Sequence, residues 1–130
     1  MRYFLGLFLF SVLMAASADD RCRDFAAAKQ QAAKEEKVVY VLITTPDCRW
    51  CRRFEQTTLA DAKVKARLEA LAVGVEVTRG DGGYPDTLSA PMVPMHYFLA
   101  PDETVLVKMP GYWNVVDFMS ILDDVERKRK

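Results

Sequence analysis

The order of apolar and polar residues predicts a helix and then a buried strand in the first part of the chain. Residues 24–37 are rich in alanine, lysine, glutamine and glutamate and contain neither glycine nor proline, which favours a helix with Asp24 as its N-cap. Residues 38–43 form a continuous apolar run with many β-branched side chains, as expected of a strand buried on both faces. We therefore expect a central strand directly after the first helix.

Two shorter helical segments and a second strand are predicted next. Residues 48–56 follow a proline-containing break and are expected to be helical. Asp61 is a candidate N-cap for a further helix over residues 62–72, where apolar side chains recur at helical spacing. Residues 73–78 have the composition of another strand.

The last third of the chain predicts a hairpin and a closing helix. Strands at residues 95–100 and 104–109 are separated by a three-residue turn, and residues 115–126 form a helix with one apolar face. The basic end, residues 127–130, is expected to be a solvated tail. This order of elements predicts an α/β fold with a central mixed β-sheet flanked by helices.

Composition and charge limit the classes of function. The chain has 130 residues, of which 51% are hydrophobic, enough for one domain with one core. Its formal net charge is zero and the charged residues are interspersed, so the sequence gives no reason to expect binding to nucleic acid or to an anionic membrane.

The N-terminus has the features of a secretory signal. Arg2 precedes an apolar run over residues 3–14, and Ala16-Ser17-Ala18 fits the small-residue pattern before a cleavage site. The run is shorter than the ~20 residues needed to span a bilayer. We therefore predict a signal peptide at residues 1–18 and a soluble, monomeric mature domain at residues 19–130, located in the periplasm or secreted.

Cys48 and Cys51 are the strongest chemical signal in the sequence. If they open a helix, residues three apart lie on one face at roughly 5–6 Å between Cβ atoms, close to the separation that a disulfide needs. The pair can then switch between dithiol and disulfide. A static disulfide and a zinc half-site are alternatives, but zinc prefers four ligands and the chain has three cysteines and one histidine.

Cys22 and the group around His96 each have more than one possible role. Cys22 could be idle, pair between molecules or be glutathionylated. His96, with Met92 and Met95 nearby, resembles a set of soft ligands for copper(I), although a histidine in a strand is more often structural.

At Cys48-Arg49-Trp50-Cys51 the chain resembles the thioredoxin superfamily, specifically its small exported members. An apolar strand leads into this motif, Val93-Pro94 lies about where the family has its cis-proline loop, and Gly111 follows the hairpin. The resemblance implies a thioredoxin-like fold and a redox-active disulfide without a cofactor.

The chain departs from thioredoxin itself at two places. Thioredoxins have a buried acid six residues before the first cysteine, and Leu42 occupies that position here. Arg49 and Trp50 replace the Gly-Pro of thioredoxin between the cysteines. Proton transfer and reduction potential therefore cannot be transferred from thioredoxin to this chain.

The roles of the two cysteines follow from their positions in the predicted helix. Cys48, at the helix start, is expected to be the nucleophile, because the N–H groups and the dipole of the helix favour its thiolate. Arg49 and Arg52 would lower its pKa further, whereas Asp47 would oppose them. Cys51 is expected to be the resolving thiol.

Substrate-binding roles are assigned mainly by the resemblance. Pro94, if cis, would leave the backbone of Val93 next to Cys48, where a substrate peptide can pair as an added strand. Trp50 is expected to face solvent, either as a docking contact or as an ordinary exposed aromatic side chain.

These features predict an exported thiol–disulfide oxidoreductase that exchanges disulfides with protein substrates. Its resemblance to small exported proteins favours a reductase that a membrane redox partner keeps reduced, which is an argument by analogy. The alternative is a non-enzymatic thioredoxin-like module that binds copper or a partner peptide through the same cysteines.

Overall fold

A computed structural model of the protein describes residues 24–130. The predicted signal peptide and Cys22 lie outside these residues. The described part of the chain folds into helices and strands in the following order: α1 (Phe25–Glu35), β1 (Val38–Thr44), α2 (Arg49–Thr57), α3 (Ala62–Leu71), β2 (Ala72–Thr78), β3 (Met95–Leu99), β4 (Val105–Pro110) and α4 (Val115–Lys128).

The four strands form one mixed sheet in the order β2-β1-β3-β4. β1 pairs in parallel with β2 and antiparallel with β3, and β3 and β4 form the predicted antiparallel hairpin. Every residue of β1 is buried, which confirms that its continuous apolar sequence makes it a central strand. In this register Leu42 lies between Glu76 of β2 and His96 of β3.

Helices cover both faces of the sheet, as the sequence predicts. Side chains from α1 pack on one face against alternate residues of β1, which include Val39, Val41 and Ile43. The other face packs against α2, α3 and α4, and its largest fully buried side chains are Phe54, Phe98 and Phe118. The predicted α/β class, with a mixed sheet between helices, is therefore confirmed.

Local capping explains where the helices begin. The side chains of Asp24 and Asp61 accept backbone N–H groups at the starts of α1 and α3, as predicted, and Asn114 does the same for α4. Among residues 24–130, no helix has the length and hydrophobicity required to cross a membrane.

The predicted ends of two elements differ from the structure. The sequence predicts that the last strand ends before Pro110, but Pro110 is the final residue of β4. This is an edge strand, where a missing N–H is tolerated. α4 extends into the predicted tail because Arg127 and Lys128 both form ion pairs with Asp124 one turn earlier. Basic side chains are also favourable at a helix C-terminus.

Candidate active site

Cys48 and Cys51 form a disulfide at the start of α2. Their Cα atoms are 5.2 Å apart, and Cys48 and Cys51 are 7% and 3% exposed. Cys48 is the N-cap residue, and its sulfur accepts the backbone N–H of Cys51 at 3.1 Å. A negative charge on this sulfur would therefore be stabilised by a backbone donor and by the positive end of the helix dipole.

A tight turn carries the chain from β1 to this position. β1 ends at Thr44, and the N–H of Cys48 then donates to the carbonyl of Thr45 at 3.3 Å. The carbonyl of Cys48 accepts the N–H of Arg52 at 3.2 Å, which is the first hydrogen bond of α2. The redox pair thus lies at the carboxyl end of the central strand, where open α/β sheets place their binding sites.

Arg49 and Arg52 both lie near this turn. Arg49 is the first residue of α2 and is exposed. The Arg52 guanidinium donates to the carbonyl of Pro46 at 3.4 Å, so it lies against the segment that leads to Cys48. Their predicted effect on the thiol pKa stays a prediction.

Trp50 faces solvent, as expected, and is 52% exposed. Its ring is 5.7 Å from the ring of Tyr112, in the segment between β4 and α4. Arg53 lies over both rings, at 5.8 Å from the centroid of Trp50 and 6.0 Å from that of Tyr112. Trp113 has a structural position, since its indole N–H donates to the carbonyl of Pro110 and its ring packs against the core.

The Val93–Pro94 peptide bond is cis. The carbonyl of Pro94 accepts the N–H of Gly111 at 2.8 Å, and Gly111 has a positive φ of 87°, a conformation that favours glycine. Among residues 24–130, neither the N–H nor the carbonyl of Val93 forms a backbone hydrogen bond. These groups have the hydrogen-bonding capacity that an added peptide strand requires.

The buried side chain of His96 links β1 to the segment around Gly111. It is completely buried; one ring nitrogen, Nε2, is 2.8 Å from the carbonyl of Gly111, and the other, Nδ1, is 2.7 Å from the hydroxyl of Tyr40. A carbonyl can only accept, so Nε2 carries the proton and Nδ1 accepts from Tyr40. Burial raises the pKa of Tyr40 well above its ordinary value, which keeps this hydroxyl protonated.

These contacts argue against the copper(I) site that the sequence left open. Both nitrogens of His96 are engaged in hydrogen bonds, so neither is free to act as a ligand. Within residues 24–130, no group of three or more His, Cys, Asp or Glu side chains is arranged to hold a metal ion.

A cavity of about 230 Å³ adjoins the redox pair and is lined by two carboxylates that are not among the predicted site residues. Glu55 and Glu76 line it together with Cys48 and Cys51, and the hydroxyl of Thr44 donates to Glu76 at 3.2 Å. Glu55 is four residues after Cys51, so helical spacing could have indicated it. Glu76 is 25 residues away in β2, and only the register of the parallel strands brings it to this edge.

This arrangement is a redox-active disulfide at a helix N-terminus within a thioredoxin-like fold. The family model described as Thioredoxin-like matches residues 20–101, and the chain belongs to this family. No curated protein matches the chain. The family and the Cys48–Cys51 pair together support thiol–disulfide oxidoreductase activity.

Solved structures show the same fold at low sequence identity. A thioredoxin from Thermus thermophilus is 22% identical, with a TM-score of 0.70 over 82% of this chain and 86% of that chain. A DsbH oxidoreductase is 16% identical, with a TM-score of 0.65 over 79% and 82% of the two chains. The oxidised C-terminal domain of DsbD from Neisseria meningitidis is 13% identical, with a TM-score of 0.63 over 75% and 89%.

The first prediction concerns the reduced form of Cys48. Because its sulfur lies at the N-terminus of α2 and accepts the Cys51 N–H, we expect its pKa to be below the ~8.5 of a free cysteine. Titration of the thiolate absorbance of the reduced protein, with Cys48→Ser as the control, measures this value. A pKa at or above that of a free cysteine would contradict the prediction.

The second prediction concerns His96 and acid stability. Burial lowers the pKa of His96 from 6.5 to about 4, so the unfolded state binds more protons than the folded state between these two values. The stabilisation is present above pH 6.5 and is lost as the pH falls towards 4, by about 3 kcal/mol in total from the size of the shift. Urea denaturation of the protein and of His96→Gln at several pH values measures the effect.

The variant serves as the control because carboxylates titrate in both proteins. The difference in free energy of unfolding between the two proteins should shrink as the pH falls from 7 to 4. A difference that stays constant over this range would show that His96 does not titrate as its burial requires.

Proposed function

We propose that this protein is an exported thiol–disulfide oxidoreductase that acts as a reductase of protein disulfides. The observation that supports this proposal best is the Cys48–Cys51 pair at the N-terminus of α2. The cis bond before Pro94 also supports it, because the next residue, Met95, pairs with Ile43 near the end of β1 that leads to Cys48. The mature protein acts as a soluble monomer and needs no cofactor, because the two sulfurs carry the two electrons of the reaction.

The reaction begins with the reduced pair. The Cys48 thiolate attacks one sulfur of a substrate disulfide, which forms a Cys48–substrate disulfide and releases the other substrate sulfur as a thiolate. The Cys51 thiolate then attacks the sulfur of Cys48, closes the Cys48–Cys51 disulfide and releases the second substrate thiolate. Two electrons pass from the protein to the substrate, and a dithiol donor, here assigned to a membrane redox partner, restores the reduced pair.

The second step requires Cys51 to lose its proton. The cavity beside Cys51 contains the carboxylates of Glu55 and Glu76, and these are the groups that we assign as proton acceptors, directly or through water. They take over the role of the central-strand acid of thioredoxin, since Leu42 at that position carries no ionisable group.

Substrate binding is assigned to the surface beside the disulfide. The backbone of Val93 pairs with an extended substrate segment, and Pro94 keeps this edge in place through its hydrogen bond to Gly111. Trp50 provides an apolar contact for substrate side chains. Arg49 and Arg52 add positive potential that favours the Cys48 thiolate.

Export is assigned on the pattern at residues 1–18. When the full chain is expressed in a bacterium with a general secretion pathway, we expect a periplasmic or secreted protein whose mass corresponds to a start at Asp19. Intact-protein mass spectrometry measures the processed end. An unprocessed chain in the cytoplasm would contradict this assignment.

The activity is tested by reduction of insulin with dithiothreitol as the electron donor. We expect the wild-type protein to accelerate the precipitation of reduced insulin and Cys48→Ser to abolish the acceleration, because this variant lacks the nucleophile. Cys51→Ser should instead accumulate a mixed disulfide with the substrate, since the resolving thiol is missing.

Further measurements separate the parts of this proposal. Glu76→Gln should slow release of the substrate from the mixed disulfide more than formation of the mixed disulfide.

The reduction potential of the Cys48–Cys51 pair should lie closer to the roughly −270 mV of thioredoxin than to the roughly −120 mV of a strong oxidant. A potential near the latter would reject the reductase direction, and an equal effect of wild type and Cys48→Ser on insulin would reject the activity.

A further inference from the structure

Three arginines lie in the first two turns of α2, where a helix is least suited to cations. Arg49, Arg52 and Arg53 are all exposed, and the first turn of α2 contains no acidic residue. The N-terminus of a helix has a partial positive charge, so a basic side chain in the first turn, such as that of Arg49, weakens the helix. None of the ion pairs formed between residues 24–130 includes any of the three.

One of these arginines is held within an exposed aromatic group. Arg53 lies over the rings of Trp50 and Tyr112, and we call these three side chains the Trp50–Arg53–Tyr112 patch. The hydroxyl of Tyr112 is 3.1 Å from that of Thr57, which fixes Tyr112 against the same helix. A guanidinium stacked on aromatic rings still directs its N–H groups outward along its plane, where they can bind a carboxylate.

A second exposed apolar side chain lies near the proline loop. Met92 is 48% exposed, and its methyl group would be 3.7 Å from a Cβ atom placed on Gly111. Gly111 in turn donates to the carbonyl of Pro94. The start of α2 and the segments around Pro94 and Gly111 therefore present exposed apolar side chains, together with arginines that form no ion pair among residues 24–130.

The acidic groups near the redox pair are arranged differently from the three arginines of α2. Glu55 and Glu76 line the cavity beside Cys51, while Asp47 precedes Cys48. Arginines thus outnumber carboxylates on the exposed start of α2, although the whole chain has equal numbers of basic and acidic residues. The excess of basic side chains therefore lies close in sequence to the disulfide, which is the group that reacts with substrate thiols and disulfides.

We propose that this surface recognises acidic protein segments, in which aspartate or glutamate and an apolar side chain flank the reacting cysteine. This inference rests on the proposed function, because it names the substrate class of the same site. Arg49 and Arg53 bind the substrate carboxylates, and Trp50 and Met92 contact the apolar side chain. Opposite charges also speed the encounter with such a substrate, an effect that salt screens.

The test uses three disulfide-linked peptides of equal length, with the cysteine flanked by glutamate, by glutamine or by lysine. The reduced mature protein is mixed with an excess of each peptide, and the second-order rate constant of its single oxidation is measured at low and high ionic strength. We expect the glutamate peptide to react about tenfold faster than the glutamine peptide at low ionic strength, with the lysine peptide slowest. The advantage should shrink at high ionic strength.

The informative quantity is the ratio of the rate constant for the glutamate peptide to that for the glutamine peptide. The same Cys48 thiolate attacks both peptides, so a change in its reactivity cancels in this ratio. We expect Arg53→Gln and Arg49→Gln to bring this ratio towards one. Arg127→Gln is the matched control, since Arg127 lies in the last turn of α4 in an ion pair with Asp124, and it should keep the wild-type ratio.

The outcomes distinguish this inference from the proposed function. Equal rates for the glutamate and glutamine peptides, or a ratio that Arg53→Gln and Arg49→Gln both leave unchanged, would overturn the acidic substrate class while the reductase activity stands. Failure of all three peptides to react in a Cys48-dependent manner would overturn both.

Discussion

The hydrogen bond from the Cys51 N–H to the sulfur of Cys48 caps the start of α2, four residues after β1 ends at Thr44. The place of this cap in the fold depends on two conditions: β1 must deliver the chain to it, and α2 must pack against the sheet. The first condition is met by a strand that is buried along its whole length. The second is met by Phe54, which lies one turn after Cys51, is fully buried and packs edge-on against Phe118 at 5.3 Å between ring centroids.

His96 is the polar counterpart of this packing. Its ring lies 4.7 Å from that of Phe54, and its two nitrogens bond to Tyr40 and to Gly111, so one buried side chain contacts α2, β1 and the segment that holds Pro94. A buried polar group is costly unless its hydrogen bonds are satisfied, and here both nitrogens have partners. The same burial keeps the imidazole neutral, which preserves the donor to Gly111 and the acceptor for Tyr40.

The position of acidic groups separates this site from that of thioredoxin. Thioredoxins have their acid in the central strand, whereas here that position is Leu42 and a carboxylate lies directly across the parallel ladder at Glu76. The side chain of Glu76 accepts from Thr44 and lines the cavity beside Cys51. Charge is therefore divided in this protein, with carboxylates in the cavity and arginines on the exposed start of α2.

The helices and strands, the sheet class and the redox pair could all be predicted from local signals in the sequence: the apolar run of β1, the caps Asp24 and Asp61, and two cysteines at helical spacing. It also predicted the exposure of Trp50. The fold was needed to reveal the role of His96, which bonds to Tyr40 56 residues away, and the approach of Glu76 to the cysteines. Strand register and side-chain packing join residues that are distant in sequence, and no local pattern encodes which partners will meet.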